Sequence, residues 1–335
     1  MNGRERVAAA FRGERVDRVP WVPFVGCHGG ALIDVGADEY LRSVDHILAG
    51  IAEAVRRYRP DGLPVMFDLQ IEAEVLGCEP AWAKENPPAV VSHPLQDGAA
   101  RLEDMRVPAA DQGRIPVAIE ATRKLRAQYP ELALYGLVTG PYTLALHLLG
   151  TGIFMAMLED EARVHRVIDF CRRVTCAMAG YYIEAGADIV AVVDPMTSQI
   201  GPEQFRQFVF LPATEVFEHI RAAGALSSFF VCGHAQQNIE VMCECKPDNV
   251  SIDENIPLDY VRDICRSKGI SFGGNLQLTV VLLLGSQDDV KRNTIACMET
   301  GGVEGFILAP GCDLPFATPP ANLEAVAAVV HDPYE

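Results

Sequence analysis

The sequence predicts an α/β protein, a (β/α)8 TIM barrel, on three observations. Eight short apolar runs, each closed by a turn signal, recur along the 335 residues. Helical stretches separate them, as parallel strands with crossover helices require. No G-x-G-x-x-G follows the first run, which removes the usual mark of an open doubly wound sheet.

The elements follow in order. The first strand is predicted over VPWVPFVG, ending at Gly26, and the second over GLPVMFD, ending at Asp68, with a helix at 44–58 between them. The segment 70–110, with EPAWAKENPPAVVSHPL, breaks the alternation and reads as an irregular excursion near the barrel mouth. A helix at 115–129 leads to strand three, ALYGLVTG. Helix 160–185 leads to strand four, ADIVAVVD, and helix 202–224 to strand five, SSFFVCG. Strands six, seven and eight are NVSIDE, SFGGNLQ and GFILAPGC, with a helix at 287–300 before the last. The final helix, PANLEAVAAVVHD, starts after a Pro-rich turn with Asn322 near its cap. The runs are nearly continuous in apolar character, as strands buried on both faces must be. No internal repeat or linker interrupts them, so residues 1–335 are expected to form one domain.

Bulk composition excludes several functions. The net charge is −17, so the chain lacks the basic face that phosphate neutralisation needs, and nucleic acid is not an expected partner. No stretch approaches eighteen uncharged apolar residues, and the charged N-terminus lacks the apolar core of a signal peptide. A cytoplasmic protein without a membrane span is expected. The ten cysteines do not suggest a disulfide framework in that setting. Cys243 and Cys245 form a C-x-C with no second pair nearby, a weak metal signal.

In this architecture reactive groups sit at the carboxyl ends of strands. Cys27 and His28 follow strand one, and Asp68 ends strand two. Tyr142 and Thr143 follow strand three, and Asp194 ends strand four. Cys232 and His234 follow strand five, Asp253 and Glu254 strand six, Asn275 and Gln277 strand seven, and Cys312 and Asp313 strand eight. Thiolate and imidazole are preferred zinc ligands, so Cys232, Cys312 and His234 form one candidate site. The alternative is two buried cysteines and a solvated histidine. Asp68 and Asp194 each end an apolar strand. A desolvated carboxyl there has a raised pKa and can act as a general acid, or it can simply cap a helix. His28 lies in GCHGG, which admits a close ligand or makes a flexible loop.

Several motifs then point to a family. RERVAAAFRGERVDRVPWVPF, PVMFDLQIEAEVLGCE, YGLVTGPYTLA, GADIVAVVDPMTS, FGGNLQ and GFILAPGCDLPFATPPANLEA span nearly the whole chain. Together they resemble the uroporphyrinogen decarboxylase superfamily, and within it the corrinoid-dependent methyltransferases, including the methylcobalamin:coenzyme M enzymes. The resemblance implies a (β/α)8 barrel with its pocket at the strand carboxyl ends. It also implies methyl transfer between a corrinoid and a small molecule such as a thiol, methyl ether or methylamine. Asp68 matches the pyrrole-binding Asp of the decarboxylase, but the loop after strand one, FVGCHGGALIDVG, has none of that enzyme's arginines. The coenzyme M enzymes bind zinc through H-x-C and a later Cys. Cys232 and Cys312 match the two cysteines, while Phe230 stands where the histidine is expected. His234 is the expected replacement ligand, with His28, Asp194 and Glu254 as the other candidates.

The resulting expectation is a zinc-assisted methyltransferase. Its metal ligands would be Cys232, Cys312 and His234. Its catalytic residues would be Asp68, Tyr142 and Asp194, and its substrate contacts His28, Glu254 and Asn275. The chain has no D-x-H-x-x-G cobalamin signature, so methylcobalamin should arrive on a partner corrinoid protein. A homodimer is compatible with the family. The rival expectations are a metal-free decarboxylase-like lyase and a non-catalytic protein that binds a corrinoid or methylated ligand.

Overall fold

The computed structural model describes residues 1–332. Nine strands form: β1 (Gly62–Pro64), β2 (Pro80–Ala81), β3 (Ala89–Val90), β4 (Ala133–Thr139), β5 (Ile189–Val193), β6 (Leu226–Val231), β7 (Asn249–Ile252), β8 (Ser271–Leu276) and β9 (Phe306–Pro310). Seven make one curled parallel sheet in the order β1-β4-β5-β6-β7-β8-β9. Its register runs, for example, from Val193 to Phe230 and from Gly273 to Ile307. β2 and β3 form a separate antiparallel hairpin inside the predicted excursion.

The predicted first strand is not a regular strand. Pro20 and Pro23 have no N–H to donate, so the ladder shrinks to one parallel bridge between Trp21 and Leu308. Val22 N–H donates to Leu308 O at 2.9 Å, and Asp61 N–H donates to Trp21 O at 2.8 Å. The segment therefore bonds to β9 on one side and to the residue before Gly62 on the other. The other seven predicted strands form; GLPVMFD pairs only over Gly62–Pro64, and the remaining six span most of their apolar runs.

The helix Val44–Tyr58 matches its prediction, with Ser43 accepting from His46 N–H as its N-cap. The predicted helix 202–224 is interrupted by a π-helical turn at Phe205–Val209. Pro212 has no N–H to return to the preceding turn, which accounts for the shifted register. Asn322 does not cap the last helix, which starts after Pro319. Its buried Nδ2 instead donates to Leu282 O and Gly285 O. Sequence periodicity did not single out the short helices Pro141–Leu149, Gly152–Glu159 and Leu258–Ser267. Among the described residues, no single helix is long and apolar enough to cross a membrane.

Two cores result. Outward-facing strand residues pack beneath the helices. Inward-facing residues form a second cluster that includes Tyr135, Leu137, Ala191, Phe230, Ile307 and Ala309. The helix Gly3–Phe11 presses Val7, Ala10 and Phe11 into one end of this inner core. At the other end lie three rings, with Phe24 5.3 Å from Phe230 and 6.0 Å from Phe67, and Phe67 edge-on to Phe230 at 6.0 Å. Between the two ends a cavity of about 10 Å³ remains, room for roughly one water. The interior is a packed core, so chemistry is confined to the mouth above the three rings.

Candidate active site

The two cysteines meet at that mouth. Cys232 follows β6 directly, and Cys312 lies two residues beyond β9. The Cys232 thiol donates to Cys312 Sγ at 3.0 Å across 80 residues of sequence. Both pack against the inner apolar cluster. The hydrogen bond to Cys312 and then burial push the Cys232 thiol well above its ordinary pKa. Cys232 is thus held as a neutral thiol, and metal binding by it requires loss of its proton.

Glu254 and Asp253 stand beside the pair. Asp253 accepts from Gly233 N–H at 2.5 Å and from the Asn255 side chain at 2.8 Å, tying the turn after β6 to the turn after β7. Glu254 Oε1 accepts from Leu278 N–H at 3.0 Å. Its Oε2 is buried with no partner. That oxygen lies against Gly311, the residue before Cys312. A Cβ at Gly311 would fall 2.2 Å from it, so only glycine leaves the carboxylate its place. Asn275 does not face the mouth with free donors. Its Nδ2 donates to Asp253 O at 3.2 Å and Ile256 O at 2.9 Å, which makes it a support for the Glu254 turn.

The other predicted residues are engaged elsewhere. His28 is fully buried at the start of a short helix, not solvated in a flexible loop. Its Nε2 lies 2.7 Å from Tyr58 Oη and its Nδ1 3.2 Å from Phe316 O. Both ring nitrogens are therefore used within the protein. Burial lowers its pKa to about 4, so the ring is neutral. Tyr142 is buried and directs its hydroxyl to Met157 Sδ at 3.5 Å. His234 is exposed, and it makes no side-chain hydrogen bond among the described residues.

The two aspartates have distinct roles. Asp194 does cap a helix, but the one before it in sequence. Its Oδ1 accepts from Thr143 N–H at 2.7 Å and Thr143 Oγ1 at 2.6 Å, and its Oδ2 from Tyr142 N–H at 3.2 Å, at the start of Pro141–Leu149. Burial raises its pKa to about 6 against these bonds, which favour the charged form. Asp68 is paired with Arg114 Nη1 at 2.5 Å and accepts from Gln70 N–H at 2.8 Å. Arg114 also pairs with Glu74 at 2.6 Å and lies 4.8 Å from the Trp82 ring, whose centroid is 3.8 Å from Arg42. Asp68 thus anchors the excursion to the sheet. Arg114 was not singled out from sequence. Its only local signal is its place before a helix with Pro at its start.

The structure therefore brings together Cys232 and Cys312 and sets the unpartnered oxygen of Glu254 next to Gly311. Among the described residues, no three His, Cys, Asp or Glu side chains are grouped so as to hold a metal ion. Phe230 fills the position expected for a histidine, and its ring is committed to the aromatic floor. C-x-C residues Cys243 and Cys245 are buried in the outer core, with Cys243 Sγ 3.7 Å from Cys265 Sγ.

The chain is similar to known proteins over nearly its whole length. The family model for uroporphyrinogen decarboxylase (URO-D) matches residues 2–333. The chain is 27% identical to the methylcobamide:CoM methyltransferase MtbA of Methanosarcina acetivorans, over 96% of this chain and 95% of that one. It is 30% identical to a methylated-thiol–coenzyme M methyltransferase of Methanosarcina mazei, over 97% of this chain and 88% of that one. A solved structure, a methyltransferase from Methanosarcina mazei, superposes with a TM-score of 0.92 at 25% identity and covers all of both chains. From its motifs, its sheet and these relatives, the chain belongs to the uroporphyrinogen decarboxylase family, on its methyltransferase branch.

Proposed function

We propose that this chain moves a methyl group between the cobalt of a corrinoid, carried on a separate protein, and the heteroatom of a small molecule held at the Cys232–Cys312 pair. The observation that carries the reading is the convergence of those two sulfurs at 3.0 Å, from the turns after two strands far apart in sequence. The scaffold in this reading is a single (β/α)8 barrel domain, with Pro20–Val22 serving as the eighth staff.

The donor set fits zinc in part. Two sulfurs already stand together, and Glu254 Oε2 is a buried, unpartnered carboxylate oxygen against Gly311. Of the candidate third ligands, His28 and Asp194 are committed to other partners, and His234 points into solvent. Glu254 is the third ligand in this reading. Zinc bound there would supply Lewis acidity toward the substrate heteroatom. The chain's own residues do the rest. Cys232 and Cys312 give up their protons as ligands. Phe24, Phe67 and Phe230 keep water from approaching from below. Asp253 and Asn275 hold the Glu254 turn in register.

A decarboxylase-like lyase is disfavoured by Asp68. Its Oδ2 is held by Arg114, and its Oδ1 by Gln70 N–H.

The test is methyl transfer from free methylcobalamin to a panel of small thiols, followed by the loss of methylcobalamin absorbance. Turnover by the wild type, with a loss of about 100-fold or more in Cys232→Ala and in Cys312→Ala, is expected. Turnover that survives both substitutions overturns the reading.

A further inference from the structure

The geometry points to a second chemistry of the same sulfur pair: in the metal-free protein, Cys232 and Cys312 close to a disulfide under mild oxidant, which blocks metal loading. The inference rests on the proposed site but not on its catalytic reading.

The separation of 3.0 Å carries the argument. Two thiolates on a tetrahedral zinc, at about 2.3 Å each, stand about 3.8 Å apart. A disulfide bond is about 2.05 Å long. The observed pair lies between the two. Side-chain motions of about 1 Å reach either state, and the two states exclude each other.

Access then selects this pair among the ten free cysteines. Cys232 and Cys312 are partly exposed. The one other close pair, Cys243 and Cys265 at 3.7 Å, is buried under the helices, at 2% and 0% exposure. Cys176 is partly exposed but forms no pair in the described residues. Only the mouth pair combines contact with a route for a small oxidant.

The chemistry balances with a peroxide as oxidant. One sulfur gives up its proton and attacks the peroxide; the O–O bond breaks, a sulfenic acid forms, and the displaced hydroxide takes up the proton and leaves as water. The second sulfur then attacks the first, the S–O bond breaks, and a second water leaves. Two thiol hydrogens are lost and one S–S bond forms. Cys312 accepts the Cys232 hydrogen bond, so its lone pair is the one held at the shared contact.

The experiment uses the full chain, purified without oxygen and stripped of metal with a chelator. It is treated with one equivalent of hydrogen peroxide, digested, and read by mass spectrometry and by thiol titration after denaturation. The expected result is a peptide cross-linked through Cys232 and Cys312, two of the ten thiols lost, and full recovery with dithiothreitol. Added zinc should suppress the cross-link by about tenfold or more. Cys312→Ser should abolish it, and Cys176→Ser should leave it intact. A first cross-link between Cys243 and Cys265, or single-site sulfinic acids with no cross-link, overturns the inference. A cross-link that zinc does not suppress refutes its exclusion of metal. If the protein binds zinc but forms no disulfide, the inference fails while the proposed function stands. If the disulfide forms but no zinc binds, the metal reading fails and the redox pair stands.

Discussion

Asp194 makes stability depend on pH in a direction opposite to arginine-paired carboxylates such as Asp17 and Glu53, whose pKa values are lowered. It is fully buried, and its pKa is raised from 3.8 to about 6. Below pH ~4 the folded and unfolded states both hold the proton. Between pH ~4 and ~6 the folded state keeps a proton that the unfolded chain has released, so stability falls as pH rises. Above that window both are ionised. The cost is then complete, at about two pKa units or ~3 kcal/mol. Other carboxylates titrate in the same range, so the contrast must be made with Asp194→Asn, which cannot titrate. The amide keeps one acceptor for Thr143 but turns an NH2 toward Tyr142 N–H, a cost that does not vary with pH. The assay is urea unfolding of both proteins at half-unit steps from pH 4 to pH 7.5. The stability advantage of the wild type over Asp194→Asn should shrink by about 3 kcal/mol across the window and then level off. An advantage that stays constant, or grows with pH, would mean that the pKa of Asp194 is not raised by burial in the folded state.

Two further substitutions probe the elements around the site. Asp68→Ala strips the 9%-exposed Arg114 side chain of its principal partner and should cost about 3–5 kcal/mol in urea unfolding. Adding Arg114→Met should recover much of that, and a loss under about 1 kcal/mol for the single variant contradicts the anchoring role. Phe230→His removes a ring from the aromatic floor and should cost about 2–4 kcal/mol. It also creates an H-x-C, so zinc affinity by competition with a chromogenic chelator should rise about tenfold or more. Unchanged affinity contradicts the view that Phe230 displaced a ligand.

Much of the fold was legible because the strands are apolar on both faces and the helices are not. Helix 44–58 and seven of the eight strands follow from that contrast. Strand one is not a regular strand, since apolar character alone does not reveal that Pro20 and Pro23 leave only one bridge for a ladder. The sulfur pair was found because position at strand ends is a topological property that sequence order carries. Side-chain commitments were not legible, because they are settled by distant partners. Nothing near Asp194 in sequence shows that Thr143, 51 residues earlier, supplies its bonds. The glycines around His28 read as flexible, but they mark close packing. A Cβ on Gly29 would fall 2.3 Å from the Tyr40 hydroxyl. Arg114 lies 46 residues from Asp68, with no motif to join them.

In the proposed function the mouth is a metal site built on two cysteines and Glu254. The direct test is zinc content by mass spectrometry, after reconstitution under reducing conditions, for the wild type, Cys232→Ala, Cys312→Ala, Glu254→Gln and His234→Ala. About one zinc per chain is expected in the wild type and in His234→Ala, lost in both cysteine variants and weakened in Glu254→Gln. Loss in His234→Ala with retention in Glu254→Gln would move the third ligand to the loop histidine. No zinc in any reconstituted sample would mean that the two cysteines and Glu254 do not form a metal site.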